Sequence, residues 1–412
     1  MELDVSSKAA AIPAACCLVI ALMLFAAPAM AATTEITVTK YCDNNYSAAA
    51  DSETLDLAAL QALSSVYSNG PVYMQGGTFD YNLSRWAYTE DSMTYFGGHN
   101  GTYVSNITDR VGGMSVGDEI KVAASDGYGM YFNYTNVYAP AACQGEMILS
   151  WWDSDSGVVP TWTKGLRLFF YTPAGTYGMS DSLNFTNADM RDSMASWYWR
   201  MVTDKYSPYG TFPSAKGLTV QTVSDLEIYP PHRYDFNTTG DTTEWAYEKQ
   251  VNGVPTSATV PSTAFSSTSE IADDDGTSYS KLTTADGYSA AQRFVFNVTE
   301  SAADIEKLGV TWIGTGTHTG GTNGADLYIW NGSSYELLQS STGSTEVTLT
   351  GEKTSSISNY INGGNVTVLV KQKGTADEGA GSSSTLATDY VKLVVAHHHT
   401  ATPNPLFLFP VI

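Results

Sequence analysis

The clearest pattern of apolar and polar positions runs over residues 111–138, VGGMSVGDEIKVAASDGYGMYFNYTNVY. Gly112-Gly113 breaks the chain and Gly117-Asp118 makes a second turn. Residues 119–123 then alternate, with Ile120 and Val122 on one face, which predicts a half-buried strand. Asp126-Gly127 is a hairpin signal, because a primed turn needs positive φ and glycine supplies it freely. The aromatic and β-branched run over 128–137 predicts the return strand. This stretch carries no nucleophile, base or ligand set.

The same reading extends along the first half. Residues 36–40 alternate as an edge strand. Apolar residues at 55, 57, 60 and 63 predict a short amphipathic helix capped by Thr54. Residues 73–80 read as a glycine-interrupted strand, 104–111 as a short helix and 147–152 as an apolar strand. Residues 153–157 are a polar turn, followed by a buried strand over 165–171. Met190, Met194, Trp197, Tyr198 and Met201 fall at helical spacing, which predicts a core stripe. Residues 217–229 close the unit, and Pro230-Pro231 marks its end. Beyond it lie Thr/Ser/Gly-rich strands at short spacing, centred near 234–236, 245–247, 292–297, 308–313, 325–330, 346–350, 366–371 and 389–395. That is the pattern of an all-β sandwich. Trp330-Asn331-Gly332 predicts a hairpin turn.

Length then sets the domain count. The 412 residues exceed what one core usually holds. The expected division is a signal segment over 1–31, an α+β domain over 32–230, a β-sandwich over 234–396 and a tail over 397–412. Lys8, the apolar run 9–27 and Ala29-Met30-Ala31 fit a secretory signal with a small-x-small cleavage site. An uncleaved anchor is the other reading. The tail resembles the start of a Thr/Pro stalk, so the expected membrane link is the signal segment or a further C-terminal anchor.

A net charge of −22 disfavours nucleic acid and anionic lipid as partners. It suits a secreted, cell-envelope location, with cell-surface proteins or glycans as partners. Ten N-x-S/T sequons, at Asn45, Asn82, Asn100, Asn106, Asn133, Asn184, Asn237, Asn297, Asn331 and Asn365, favour a glycoprotein. Chance in a Ser/Thr-rich chain is the alternative. Outside the signal segment the cysteines are Cys42 and Cys143, which either pair as a disulfide or stay as free thiols.

The first half resembles the molybdopterin-binding domain of the sulfite oxidase family. The likeness rests on LDLAALQAL, on VSNITDRVGGMSVGDEIKVAASDGY, on GLRLFFY and on the closing LTVQTVSDLEIY. It is closer still to secreted proteins of methanogenic archaea that share VGGMS-GDE-K--ASDGY. The resemblance implies a sulfite-oxidase-like α+β fold. It would also imply a molybdenum-bound thiolate and basic residues around a cofactor phosphate. Cys143 and Cys42 have no base beside them, and Arg85, Arg110, Arg167 and Arg191 form no dense cluster in the sequence, so the expected domain is cofactor-free. The second half, through YDF at Tyr234, RFVFNV, VTWIGTG, LYIWNG and TDYVKL, resembles galactose-binding-like jelly-roll modules.

Candidate chemistry is sparse. Asp273, Asp274 and Asp275, with Asp389 from the last strand, offer oxygens to a structural calcium ion, or form a solvated acidic loop. Tyr328, Trp330 and Tyr335 are candidates for stacking on sugar rings, or are core. The sequence holds no HExxH or GxxxxGK[ST] motif. Glycines in IGTGTHTGG lie in a β-region with no helix to follow. His397, His398 and His399 read as an incidental tail feature. The expectation is a secreted, non-catalytic surface or adhesion protein. A carbohydrate-binding module and a molybdopterin-dependent oxidoreductase are the alternatives.

Overall fold

The computed structural model describes residues 31–68, 70–80, 82–172, 182–203 and 210–400. Most of the expected signal segment over 1–31 and of the tail over 397–412 lies outside the described residues. The protein is built largely of β-sheet, with a few short helices.

The predicted centre forms as strands Glu119–Ala124 and Gly129–Asn133. Gly127 takes φ +87° in the tight turn between them, and Asp126 accepts the Tyr128 N–H. The return strand is shorter than expected. Asn133 accepts the Asn136 N–H, and the Asn136 side chain accepts the Asn133 N–H in return. That reciprocal cap starts a helix, Tyr134–Tyr138, where the aromatic pattern suggested more strand.

These strands belong to a five-stranded sheet ordered Asn45–Asp56, Glu35–Cys42, Val223–Tyr229, Glu119–Ala124, Gly129–Asn133. Glu35–Cys42 is therefore interior, not an edge. Val223–Tyr229 pairs with it in parallel, joining the start of the unit to its end. The expected helix over 55–63 begins later, at Leu57–Ala62. Asp56 rather than Thr54 caps it, accepting the Ala59 N–H. The preceding residues are held as strand by Glu35–Cys42.

A second sheet holds Glu146–Asp153 and Arg167–Tyr171 with His99–Tyr103 and Ser65–Tyr67. One apolar core lies among these layers, including Ile36, Ile120, Phe132, Leu149, Phe169, Phe170 and Leu226. The Met/aromatic stripe splits. Met190, Met194 and Tyr198 are buried as expected, but the helix ends at Ser193 and Trp197 is exposed.

After Pro231 every strand belongs to one of two antiparallel sheets. The first contains His232–Tyr234, Ser384–His397, Ile305–His318 and Val347–Lys353, with Tyr279–Thr283. The second runs Thr263–Ala264, Thr243–Val251, Ser289–Asn297, Asn365–Gln372, Ala325–Trp330, Tyr335–Ser340. Trp312, Leu393, Phe294, Val368 and Ile329 of the two sheets share one core, as the alternating pattern predicts.

Candidate functional site

The first unit encloses a cavity of about 570 Å³. Its walls come from distant parts of the chain: Gly76 and Phe96, the Asp126–Tyr128 turn, Lys164 and Arg167, and Arg200, Lys216 and Thr219. Four bases line it, against one carboxylate, Asp126. In a chain with 20 lysines and arginines and 42 acids this is a marked local reversal of charge. Of the bases named from sequence only Arg167 lines this cavity, and Lys164, Arg200 and Lys216 join it there. Lys164 and Lys216 lie 52 residues apart, and the sheets bring them together.

Arg167 is the strongest feature. It begins the strand Arg167–Tyr171, and its guanidinium lies 4.6 Å from the centre of the Phe96 ring and 5.3 Å from that of Phe169. Nη2 donates to the Thr219 hydroxyl at 2.8 Å. Nε is buried and has no partner among the described residues. Burial pushes the Arg167 pKa down to about 10, partly offset by Asp153. A buried guanidinium without a bonded carboxylate carries a desolvation cost that an anion in the cavity would relieve. Arg200 stacks 5.4 Å from the Tyr128 ring centre, and the Tyr128 hydroxyl is fixed by donating to the Gly217 carbonyl at 2.6 Å. Of the other bases named from sequence, Arg110 pairs with Glu53, Arg191 with Asp192, and Arg85 donates to the Thr211 carbonyl.

The residues near this cavity do not fit a molybdenum cofactor. Neither Cys42 nor Cys143 lines it. Cys143 sits near Asp189 and Asp192, and burial followed by the Asp189 charge pushes its thiol pKa up, away from thiolate. The two cysteines do not pair either: both are free thiols, Cys42 at the end of its strand and Cys143 in the loop after Tyr138.

The acidic residues are placed differently from expectation. Carboxylate oxygens of Asp274 and Asp389 gather within 4.8 Å together with Glu346, which sequence reasoning missed. Asp273 instead accepts from Asn237, and Asp275 accepts the Thr277 N–H. Asp389 is 1% exposed, and its Oδ1 has no hydrogen-bond partner among the described residues. Burial, then the charges of Asp389 and Asp274, hold the Glu346 pKa above the usual range.

Tyr328, Trp330 and Tyr335 do not form an open platform. All three are buried in a small second core with Val251 and Leu369. The 252–262 loop covers them: Ala258 and Val260 pack there, and Arg293 donates to the Pro261 and Ala258 carbonyls at 2.7 Å each. Among the sequons, Asn82 is exposed, whereas Asn184 is fully buried on a strand paired with Tyr73 and cannot carry a glycan in the fold.

The tail histidines are not incidental. His399 stacks on Tyr131 at 4.9 Å and His398 on Trp197 at 4.5 Å, both in the first unit. His232, just after the prolines, lies under Tyr46 and bonds Glu300 at 2.6 Å and Asp241 at 3.0 Å. The entry and the exit of the second unit are thus both fastened to the first.

A family model described as the C-terminal domain of an uncharacterised protein matches residues 241–397. An uncharacterised protein of Archaeoglobus fulgidus is 33% identical over 108 residues, which is 25% of this chain and 18% of that protein. The chain thus spans less than a fifth of the relative's length. The ANX2 ectodomain of Arabidopsis thaliana aligns over 90% of this chain and 99% of its own, at 11% identity and a TM-score of 0.21, too low to relate the folds.

Proposed function

We propose that this chain is a secreted, non-catalytic cell-envelope protein whose first unit binds an anionic ligand. The carrying observation is Arg167, half-enclosed by aromatic rings and unsatisfied at Nε, beside Lys164, Arg200 and Lys216 in one cavity. Guanidinium groups suit planar or tetrahedral oxyanions, because their fork of donors matches carboxylate and phosphate. Phe96 and Tyr128 add apolar surface, which favours an acidic or phosphorylated sugar over a bare ion. In this reading the first unit is a sulfite-oxidase-like fold put to cofactor-free use. The second is a jelly-roll module, steadied by a structural calcium ion at Asp274, Glu346 and Asp389, that spaces the binding unit from the surface.

Carbohydrate recognition at Tyr328, Trp330 and Tyr335 is not favoured, because the 252–262 loop covers them. A molybdopterin-dependent oxidoreductase would need a thiolate at the cavity, and neither Cys42 nor Cys143 lines it.

Isothermal titration of the full chain with phosphate, glucuronate and glucose 6-phosphate tests the reading. Binding of an acidic sugar that falls at least tenfold in Arg167→Ala, with neutral glucose inert, is the expected result. Failure of every anion to bind, or undiminished binding by the variant, would overturn it.

A further inference from the structure

A second site lies where the last strand leaves the second unit. His397 ends the strand Ser384–His397, and His399 follows two residues later. In extended chain such residues project to the same side. Their Nε2 atoms approach to 3.3 Å.

The proton positions follow from the partners. Nδ1 of His399 lies 2.6 Å from Oε2 of Glu119, and the His399 backbone N–H donates to the same oxygen at 3.0 Å. Oε1 of Glu119 accepts the Tyr198 hydroxyl at 2.5 Å. With three donors converging on it, the Glu119 side chain acts as the acceptor. Nδ1 of His399 therefore carries the proton, and its Nε2 presents a lone pair. Stacking on Tyr131 fixes the ring in that orientation. His397 faces it with its own Nε2, while its Nδ1 is buried and has no partner among the described residues.

We propose that His397 and His399 bind a late first-row divalent cation, zinc or copper, through their Nε2 atoms. Metal–imidazole bonds of about 2.0–2.1 Å in tetrahedral geometry put two ligand nitrogens about 3.3–3.4 Å apart, which matches the observed separation. Neutral imidazole suits such ions better than calcium or magnesium. Glu119 behind His399 supplies the carboxylate–imidazole–metal order by which an outer partner fixes a ligand's tautomer and raises its basicity. Further positions open onto a cavity of about 380 Å³ that His397 and His399 line with Glu300 and Asp304, where water or an exogenous ligand completes the shell. The neighbouring histidines are engaged elsewhere. His398 stacks on Trp197 with Nε2 3.5 Å from Asp304, and both nitrogens of His232 face carboxylates. Because His399 is anchored on the first unit, the ion would strengthen the attachment of the second unit at its exit.

The test uses the full chain without a histidine tag, stripped with chelator and dialysed. Titration with Zn²⁺ by calorimetry and with Cu²⁺ by electron paramagnetic resonance is expected to give one ion per chain, with two coordinated nitrogens in the copper spectrum. His397→Ala should weaken binding at least tenfold while leaving the circular dichroism unchanged, with His397→Gln as the alternative should the alanine variant not fold. Glu119→Gln should weaken it by about 10–100-fold. His398→Ala should leave it intact. No binding by the wild-type chain, binding that persists in His397→Ala, or equal loss in His398→Ala would overturn the proposal. Neither outcome depends on Arg167, so this site and the anion cavity stand or fall separately.

Discussion

Glu244 is the residue whose environment most clearly conflicts with its charge. It lies on the strand Thr243–Val251, and its Oε1 is buried without a hydrogen-bond partner among the described residues. Burial pushes its pKa up to about 7, only partly offset by a bond from Thr242, and Asp235 adds to the rise. A carboxyl with a raised folded pKa costs stability once it must ionise in the fold. That cost is absent below the unfolded value near 4.5 and grows until pH passes 7. Stability should therefore fall as pH rises from 5 to 8. Glu244→Gln should match the wild type at pH 5 and exceed it at pH 8 by on the order of 2 kcal/mol, after discounting for solvent. Urea denaturation at the two pH values measures this; a variant equally destabilised at both would refute it. The conflict was not legible in the sequence, where Glu244 is one acid among 42.

At the scale of elements, the acidic group proposed to hold calcium draws on three separate pieces of the second unit. Asp274 comes from the loop before Tyr279–Thr283, Glu346 immediately precedes the strand Val347–Lys353, and Asp389 lies inside Ser384–His397. A hard cation here would clamp the loop to two strands of one sheet. Calcium at about a hundred times its dissociation constant should add about 2.7 kcal/mol to stability. Asp389→Asn should abolish that gain, whereas Asp273→Asn should keep it, because Asp273 is engaged by Asn237. Thermal melts with calcium and with chelator decide the point; identical melting temperatures would refute the site. Sequence reasoning named Asp274 and Asp389 as candidates because an acidic run and an acid at the start of an expected strand are visible one-dimensionally. It missed Glu346 because only strand pairing brings it there.

For the whole molecule, the question is what holds the two units together. Arg233, one residue past His232, makes a two-pronged pair with Asp43 of the first unit at 2.9 and 3.0 Å. It also bonds Asp235, which is fully buried and accepts from the Tyr390 hydroxyl at 2.8 Å. The two halves of this network should carry unequal weight. Asp43 is 45% exposed, so Asp43→Asn should cost about 1 kcal/mol or less. Arg233→Ala strands a buried carboxylate and should cost about 3–5 kcal/mol. Calorimetric unfolding distinguishes them, and equal effects would count against the buried carboxylate as the cause.

The sequence alone determined much of the local structure. Alternation and the Asp126-Gly127 turn depend on neighbours a few residues apart, and they located most strands. It also held the two periodic signals of the second unit: which residues share a strand face, and where the hairpin at Asn331 turns. What it could not determine was which face is covered. Tyr328 and Trp330 share a side as alternation requires, but burial came from the 252–262 loop folding over them. The candidate sites were hidden for the same reason. Arg167 and Arg200 are 33 residues apart, and Glu119 and His399 are 280 apart. Such groups converge only when sheets stack and the chain's end returns to its beginning, because burial and charge proximity are properties of the packed whole.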